Sequence, residues 1–272
     1  MTRLREEDIL DITLQLSEYD NQLLAKVGQS LAGIAAHALG KSQEEFRALQ
    51  ASAVIAVVPV SCGQGVINGF SQSVQKIIEF LGFTAFVTVN SDVGGLAEAV
   101  NKGAKVIFLA DDDHFVAINM TTSKVVDNGE ATGKGYAAAL DLMSGGLQGK
   151  EVLLIGAGPV GAGAAAFMTM RGAAVFVYDI DEQRVSNLRK MLPSVQVVQD
   201  FSKALGEHKL LFEATPVAAL IGKEYLTVDT IISAPGIPLG LSQDGIAVVG
   251  DRLIHDVLEI GVATMLVAVL MD

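Results

Sequence analysis

Several features that would point to particular classes of protein are missing from this 272-residue sequence. It has one cysteine, Cys62, which excludes an internal disulfide and is typical of a reducing compartment. Its longest apolar run, Ile260 to Met271, is too short to cross a bilayer, and its first residues lack the hydrophobic core of a secretion signal. We therefore expect a cytoplasmic protein that does not span a membrane.

Positive charge is also scarce, with 19 basic residues against 31 acidic residues and a net charge of −12. The basic residues are scattered, so nucleic acid is not an expected partner. The negative balance favours the approach of a cationic substrate, although plain solubility is the stronger explanation of the charge by itself. The four histidines lack the spacing of metal ligands, and we predict no required metal.

The most informative segment is 151–161, where an apolar strand runs into Gly156-x-Gly158-x-x-Gly161 and then into an alanine-rich helix. Such a loop holds a dinucleotide, because its glycines allow a tight turn and close approach of the pyrophosphate to the helix N-terminus. A second strand ends at Asp179, near the spacing of the acid that binds the ribose hydroxyls. An anion there repels a 2′-phosphate, so the sequence predicts NAD rather than NADP. The cofactor-binding residues predicted from this segment are Gly156, Gly158, Pro159, Val160, Gly161 and Asp179.

The order of elements predicts an α/β protein with two domains. Helices open the chain, and alternating strands and helices follow over 53–110, which is typical of a parallel βαβαβ sheet. A short extended segment is expected over 115–126. A Rossmann domain follows, with one of its strands near Ile246 to Val249. The last helix, 258–270, is apolar on most faces and could pack back on the first domain. The predicted domains are a substrate-binding domain, 1–148, and an NAD-binding domain, 149–272.

Ligands of open parallel sheets bind in the loops after the strands. In the first domain these loops are 59–65, which contains Ser61 and Cys62, 91–92, and 111–114, which begins with Asp111. A run of carboxylates is also typical of a solvated turn or a helix cap. Cys62 lacks a recognisable base, which favours packing or substrate contact over a role as nucleophile.

Two loops of the second domain, 213–216 and 233–238, follow strands and are placed to lie along the nicotinamide end of a cofactor. The alternative is a pair of turns fixed by proline. The cofactor-binding residues predicted in these loops are Thr215, Pro216, Ala234, Pro235 and Gly236.

The sequence resembles the pyrrolysine synthase family (PylD), NAD-dependent dehydrogenases that complete pyrrolysine biosynthesis. The resemblance rests on segments that occur in order and at matching separations: 58–67, 101–107, 110–112 with Asn119, 213–216, 234–238 and 260–266. It implies a small-molecule isopeptide substrate, lysine joined through its side-chain nitrogen to 3-methylornithine. It also implies that the terminal amine of the ornithine part is oxidised to an imine, that ammonia leaves, and that the aldehyde condenses with the α-amine to form the pyrroline ring.

The same resemblance implies roles for individual residues. Asp111 matches the family's substrate carboxylate and is predicted to be catalytic and substrate-binding, while Leu4 matches an opening helix that closes over the site. Ser61, Cys62 and Asn119 match positions that contact the substrate. A carboxylate stabilises the ammonium form of a nearby amine, so Asp111 suits anchoring better than generating the free amine. It can still accept a proton through water during ring closure.

Two other functions stay open from the sequence. An NAD-dependent amino-acid dehydrogenase is suggested by Ala131-Thr-Gly133, although the glycine-rich lysine motif of those enzymes is missing from the first domain. A protein that senses NAD without catalysis is the second alternative. The oligomeric state is also open, with a homodimer among the alternatives.

Overall fold

A computed structural model describes residues 4–50 and 53–271 of the chain. They form two compact units: unit 1 contains residues 4–24, 29–50, 53–131 and 257–271, and unit 2 contains residues 25–28 and 132–256. The main division between the units thus falls between Ala131 and Thr132, inside a long helix, whereas the sequence predicted the end of the first domain at residue 148, after that helix.

The sheet of unit 1 has the order β2-β1-β3-β4-β5. Its first three strands pair in parallel, as the alternation of strands and helices predicts, and the last two run antiparallel as a hairpin. The extended segment expected after β3 is this antiparallel hairpin, so the sheet contains both parallel and antiparallel strands. The strands are β1 (Val54–Val58), β2 (Thr84–Val87), β3 (Val106–Ala110), β4 (Phe115–Asn119) and β5 (Val125–Asp127).

Unit 1 also contains most of the chain's opening helices and its last one. Apolar residues at intervals of three and four from Ile9 to Val27 predict one long opening helix, but the structure interrupts it after Ile9 and forms two helices. The last helix is apolar on all sides and packs against the third and fifth helices and β4, which buries ten of its residues. The helices are α1 (Glu6–Ile9), α2 (Ile12–Val27), which ends in unit 2, α3 (Leu31–Ala38), α4 (Gln43–Arg47), α5 (Phe70–Phe80), α6 (Asp92–Asn101) and α12 (Glu259–Leu270).

Unit 2 is a doubly wound sheet with the order β11-β10-β9-β6-β7-β8, and all its strand pairs are parallel. This is the strand order of a Rossmann fold, in which the winding reverses between β6 and β9. The two-domain α/β fold class is confirmed. The strands are β6 (Glu151–Ile155), β7 (Ala174–Tyr178), β8 (Gln196–Val197), β9 (Leu210–Glu213), β10 (Ile231–Ser233) and β11 (Leu253–Ile254).

The helices of unit 2 correct one prediction. Residues 246–249 belong to a helix, whose N-cap Ser242 accepts a hydrogen bond from the Gly245 N–H, and not to a strand. The helices are α7 (Asn128–Met143), which begins in unit 1, α8 (Pro159–Met170), α9 (Glu182–Met191), α10 (Phe201–Glu207) and α11 (Gln243–Val249). Within the described ranges, no helix combines the length and apolar character that a membrane crossing requires.

Candidate active site

The glycine-rich loop of unit 2 connects β6 to α8 with the geometry of a dinucleotide cradle. Gly156 has a positive φ of 98°, which an L side chain rarely adopts. A Cβ built on Gly161 would overlap the Gly156 carbonyl oxygen, so only glycine lets the helix start this close to the strand. Pro159 occupies the first turn of α8, where its missing N–H costs no hydrogen bond.

Gly158 differs from these two glycines, because neither its backbone angle nor its packing requires a glycine. Its φ is −70°, and among the described residues the nearest atom to a Cβ built there is Arg184 Nη1, at 3.8 Å. The open space in front of Gly158 fits the approach of a pyrophosphate. No described side chain caps α8, so its first N–H groups suit the same anion.

Arg184 is a residue that the sequence reasoning missed. It lies in the first turn of α9, where its guanidinium contacts Asp181 at 3.4 Å and approaches the glycine-rich loop. A cation in this position can meet a bound pyrophosphate. Its signal in the sequence was its place in the first turn of the helix that follows Asp179, five residues beyond that acid.

Asp179 lies directly after β7 and is half-buried beside the glycine-rich loop. Its Oδ2 accepts a hydrogen bond of 2.6 Å from the Ala157 N–H, and its Oδ1 accepts one of 2.8 Å from the Asp181 N–H. These bonds hold the carboxylate where the fold expects the ribose of a dinucleotide. A pocket of about 750 Å³ opens beside it, and its lining includes Ile180, Val185, Arg189, Lys190 and Val198.

The two loops after β9 and β10 contain the other predicted cofactor residues. Pro216 is exposed, and Thr215 and Pro235 are half-buried, so all three can meet a ligand. Ala234 is fully buried: its N–H donates to Ile254 O and its carbonyl oxygen contacts His255 Nδ1. The side chain of Ala234 therefore lies in the core, and its predicted contact with the cofactor stays a prediction.

Gly236 is also buried, and it packs directly against the side chain of Glu213. Glu213 is fully buried at the end of β9, and its Oε1 accepts hydrogen bonds from the Thr215 N–H (2.7 Å) and hydroxyl (2.5 Å). Burial raises the pKa of Glu213 to about 7, although hydrogen bonds from Thr215 and from the Gly240 backbone act against this rise. The sequence reasoning passed over this acid.

In unit 1, the loop after β1 is bonded to the loops on both sides of it. The Ser61 N–H and hydroxyl donate to the two carboxylate oxygens of Asp92, at 2.8 and 2.5 Å. On the other side, the Gln64 N–H donates to Asp112 Oδ2 at 2.8 Å. Because β1 lies between β2 and β3, these bonds bring the three predicted loops together at the carboxyl edge of the sheet.

Asp111 follows β3 at this edge and is exposed. Its Oδ1 accepts hydrogen bonds from the N–H groups of His114 (2.7 Å) and Asp113 (2.8 Å), and these bonds lower the pKa of Asp111. Its Oδ2 accepts from no side chain in the described part of the chain. Asp111 is thus a fixed anion with one carboxylate oxygen available to a ligand.

Of the remaining predicted residues, Cys62 belongs to one of the three loops, and Leu4 lies in the chain next to a helix that packs near them. Cys62 is exposed within the loop after β1. Leu4 precedes α1, whose Ile9 side chain lies 3.8 Å from the position of a Cβ on Gly69, directly before α5. Since α5 begins after the loop that contains Cys62, α1 packs near the same edge.

Asn119 is not part of this cluster. It ends β4 and pairs with Val106, at the start of β3, so it lies at the opposite edge of the sheet from Asp111. Its amide is bonded internally: Nδ2 donates to Val269 O, and Oδ1 accepts from the N–H groups of Thr121 and Thr122. The antiparallel direction of β4 is the reason, and Asn119 holds α12 and a turn in place.

The threonine-glycine stretch also has a structural explanation. It lies inside α7, and a Cβ on Gly133 would overlap Val160 O and lie 2.7 Å from Ala164 N. Gly133 lets α7 and α8 pack closely, which fixes the first turn of the helix that carries the glycine-rich loop.

Two family models match the chain. The model of the pyrrolysine biosynthesis protein PylD, N-terminal domain, matches residues 8–126, and that of the alanine dehydrogenase/PNT C-terminal domain matches residues 129–240. Among solved structures, quinate dehydrogenase from Corynebacterium glutamicum in complex with NAD has a TM-score of 0.54 at 14% identity, over 80% of this chain and 92% of that one. Shikimate 5-dehydrogenase from Thermus thermophilus in complex with NADP(H) and shikimate has a TM-score of 0.52 at 17% identity, over 79% and 92%. These two likenesses show the fold of a dinucleotide-dependent dehydrogenase.

Two relatives match over nearly the whole length of the chain. Pyrrolysine synthase from Methanosarcina acetivorans is 33% identical over 271 residues, which is 99% of this chain and 100% of the relative. Pyrrolysine synthase from Methanosarcina barkeri is 32% identical over 272 residues, which is 99% of this chain and 98% of the relative. The chain belongs to the pyrrolysine synthase family.

Proposed function

We propose that this chain oxidises the terminal amine of 3-methylornithine joined to the side-chain nitrogen of lysine, with NAD as the hydride acceptor, and forms the pyrroline ring of pyrrolysine. The observation that carries the proposal is the match of 99% of the chain to a relative named pyrrolysine synthase. Two local features support it: the ionised Asp111 at the sheet edge of unit 1 and the open glycine-rich loop of unit 2.

The proposed reaction balances in three steps. The amine loses a hydride and a proton to become an imine, water converts the imine to an aldehyde and ammonia, and the α-amine condenses with the aldehyde with loss of water. NAD, when bound, supplies the acceptor for the hydride. Each turnover therefore yields an NADH, a proton and an ammonia for every ring formed, and the water consumed in the second step is returned in the third.

Asp111 is proposed to anchor an ammonium group of the substrate. Two backbone N–H groups hold its Oδ1 and lower its pKa, so the carboxylate stays charged at neutral pH. Its Oδ2 accepts no hydrogen bond from a side chain in the described ranges. The same lowered pKa makes Asp111 a poor base for the ammonium that must lose its proton before hydride transfer. It suits relaying a proton through water in the later condensation.

NAD is proposed in preference to NADP because Asp179 is fixed beside the glycine-rich loop and its negative charge would repel a 2′-phosphate. Arg189 and Lys190 line the same pocket and would attract that phosphate. Measured dissociation constants for the two cofactors decide which charge dominates. We expect NAD to bind at least about tenfold more tightly, a preference that Asp179→Asn reduces.

The test of the activity is incubation of the purified protein with the synthetic isopeptide and NAD, followed by NADH absorbance and the mass of the product. Asp111→Ala should abolish turnover and leave NAD binding unchanged. Asp113→Ala is the matched control, because its backbone N–H still donates to Asp111 Oδ1 and its own carboxylate has no hydrogen bond among the described residues. Turnover that survives in Asp111→Ala would refute the assigned role.

An amino-acid dehydrogenase is the second candidate, because residues 129–240 match the C-terminal domain of the alanine dehydrogenase family. Free alanine and ornithine with NAD form the comparison in the same assay. Turnover of either without turnover of the isopeptide would select this candidate, and binding of NAD with no turnover of any substrate would select an NAD-sensing protein.

A further inference from the structure

One buried acid at the centre of the unit 2 sheet has no part in the proposed reaction. Glu213 ends β9 beside Ile155 of β6, where the strand order reverses. Its side chain is 0% exposed, and among the described residues Oε2 has no well-formed hydrogen bond, although the Gly240 backbone acts on the carboxyl group as a donor that lowers its pKa. Buried polar atoms are nearly always paired, so an unpaired carboxyl oxygen at this position requires a reason.

The packing around Glu213 prevents it from touching a ligand. A Cβ on Gly240 would lie 2.6 Å from Oε2, and one on Gly236 would overlap it, so the backbone of the loop after β10 covers the carboxyl group. Its Oε1 meanwhile holds Thr215, in the loop after β9, through two hydrogen bonds. Glu213 therefore acts through these two loops and through its charge.

The two loops lie where a doubly wound sheet receives the nicotinamide half of a dinucleotide, beyond the strands on one side of the reversal point. Oxidised nicotinamide is a cation, and reduced nicotinamide is neutral. A nearby carboxylate away from bulk water stabilises the cation more than the neutral ring. We propose that Glu213 is a proton-linked positioning residue whose ionised form favours oxidised NAD over NADH. This inference rests on the cofactor site proposed above.

The surroundings of Glu213 allow its charge to change near neutral pH. Burial raises its pKa to about 7, and no charged side chain of the described residues contributes to the shift. Asp179, after β7, is held by the Ala157 N–H, and His255, after β11, contacts Ala234 O. The other titratable groups on the elements around the two loops are Lys223, Glu224 and Tyr225 in the 3₁₀ turn Lys223–Tyr225, Asp244 in α11, Asp251 and Arg252 in the 3₁₀ turn Gly250–Arg252, and Asp256 after β11.

The test compares the affinities for oxidised NAD and NADH from pH 6 to pH 8 in the wild type and in Glu213→Gln. We take a coupling of about tenfold as the working magnitude, which corresponds to two unit charges about 12 Å apart in an effective dielectric of about 20. With that coupling, the affinity for oxidised NAD rises about fivefold over this range, and the affinity for NADH changes less than about twofold. Glu213→Gln should bind both forms with no such dependence on pH.

Asp179→Asn is the control, because the adenosine half is the same in both forms of the coenzyme. It should weaken both to the same extent and leave the fivefold rise in place. If Glu213→Gln keeps the rise, or if both forms show the same rise in the wild type, the inference is wrong while the cofactor site stands.

A second measurement needs no variant and so does not depend on whether Glu213→Gln folds. Calorimetry of the wild type at pH 7 in two buffers of different ionisation enthalpy should show that oxidised NAD releases about 0.4 proton on binding and NADH releases none. Binding of oxidised NAD without proton release overturns the inference alone. If neither coenzyme binds at any pH, both the cofactor site and the role of Glu213 are refuted.

Discussion

Gly158 and Gly161 lie in the same loop, yet the structure predicts opposite consequences when each is replaced by alanine. A methyl group on Gly161 overlaps a backbone oxygen, whereas a methyl group on Gly158 has only Arg184 near it, at 3.8 Å. Gly161→Ala should therefore damage folding, and Gly158→Ala should damage only the binding of a dinucleotide. The pair separates the structural role of this loop from its function.

The magnitudes follow from these contacts. A backbone oxygen cannot rotate away as a side chain can, so we expect Gly161→Ala to cost about 1–3 kcal/mol, the usual range for an overpacked core. At roughly 2–4 °C per kcal/mol, this lowers the melting temperature by several degrees. Gly158 already has the φ of an ordinary residue, −70°. Alanine there restricts the unfolded chain and should be neutral or stabilise by up to about 1 kcal/mol.

Binding should show the reverse order of effects. The methyl group of Gly158→Ala fills the space in front of the helix N-terminus, so the affinity for NADH should fall at least about tenfold, equivalent to about 1.4 kcal/mol. Thermal melts followed by circular dichroism give the stability, and titration of NADH fluorescence gives the affinity. A Gly158→Ala protein that binds NADH as tightly as the wild type would refute the assignment of this loop as the pyrophosphate site.

Three further predictions concern charged groups. Arg171→Ala should destabilise the protein by about 2 kcal/mol in urea denaturation, because it leaves the buried Asp141 without the cation 2.9 Å away, whereas Lys203→Ala, in an exposed ion pair, should cost less than about 1 kcal/mol. Glu213 has a folded pKa of about 7, above its ordinary value of 4.5, so its contribution is complete below pH 4.5 and is lost as pH rises to 7. The wild type should lose about 3 kcal/mol relative to Glu213→Gln between these pH values, and parallel pH curves of the two proteins would contradict this. Because the pKa of Asp111 is lowered, KM of the wild type for the isopeptide should not rise between pH 7 and pH 5, and a rise over this range that Asp113→Ala retains would contradict an Asp111 that stays ionised.

The parts of the fold that were predictable depend on short-range signals. The glycine-rich loop, the strand before it and the acid after β7 lie within one βαβ unit, and each restricts its neighbours through local backbone geometry. The loops after β1, β2 and β3 in unit 1 were also predictable as candidate ligand-binding loops, because parallel strands place all their carboxyl ends at one edge of the sheet, and hydrogen bonds join these loops in the structure. In both cases the order along the chain determines the position in space.

The wrong predictions concern elements whose strand pairing or hydrophobic period cannot be recognised in a short stretch of sequence. The run 246–249 is apolar throughout, which suits a strand as well as a helix, and only burial at Gly245 and Val249, four residues apart, shows the helical face. The actual strand β11 has two residues, too few to show a period. Asn119 was assigned to the substrate site from the family resemblance, and nothing in the local sequence shows that β4 reverses direction and takes its last residue to the other end of the sheet from Asp111.

The segment Glu213-Ala-Thr-Pro216 shows the same limit within four residues. From the sequence alone, an acid at the end of a strand is expected to be solvated, and only the threonine and proline that follow it are predicted to bind the cofactor. In the fold, Gly236 and Gly240 come from a later loop and cover that acid, because neither has a side chain to hold them away. Their lack of a Cβ is what buries the carboxyl group, and the burial is what brings its pKa to about 7. The property that makes Glu213 a candidate for proton linkage thus belongs to the contact between two loops, and a substitution such as Gly240→Ala should change it without altering the acid itself.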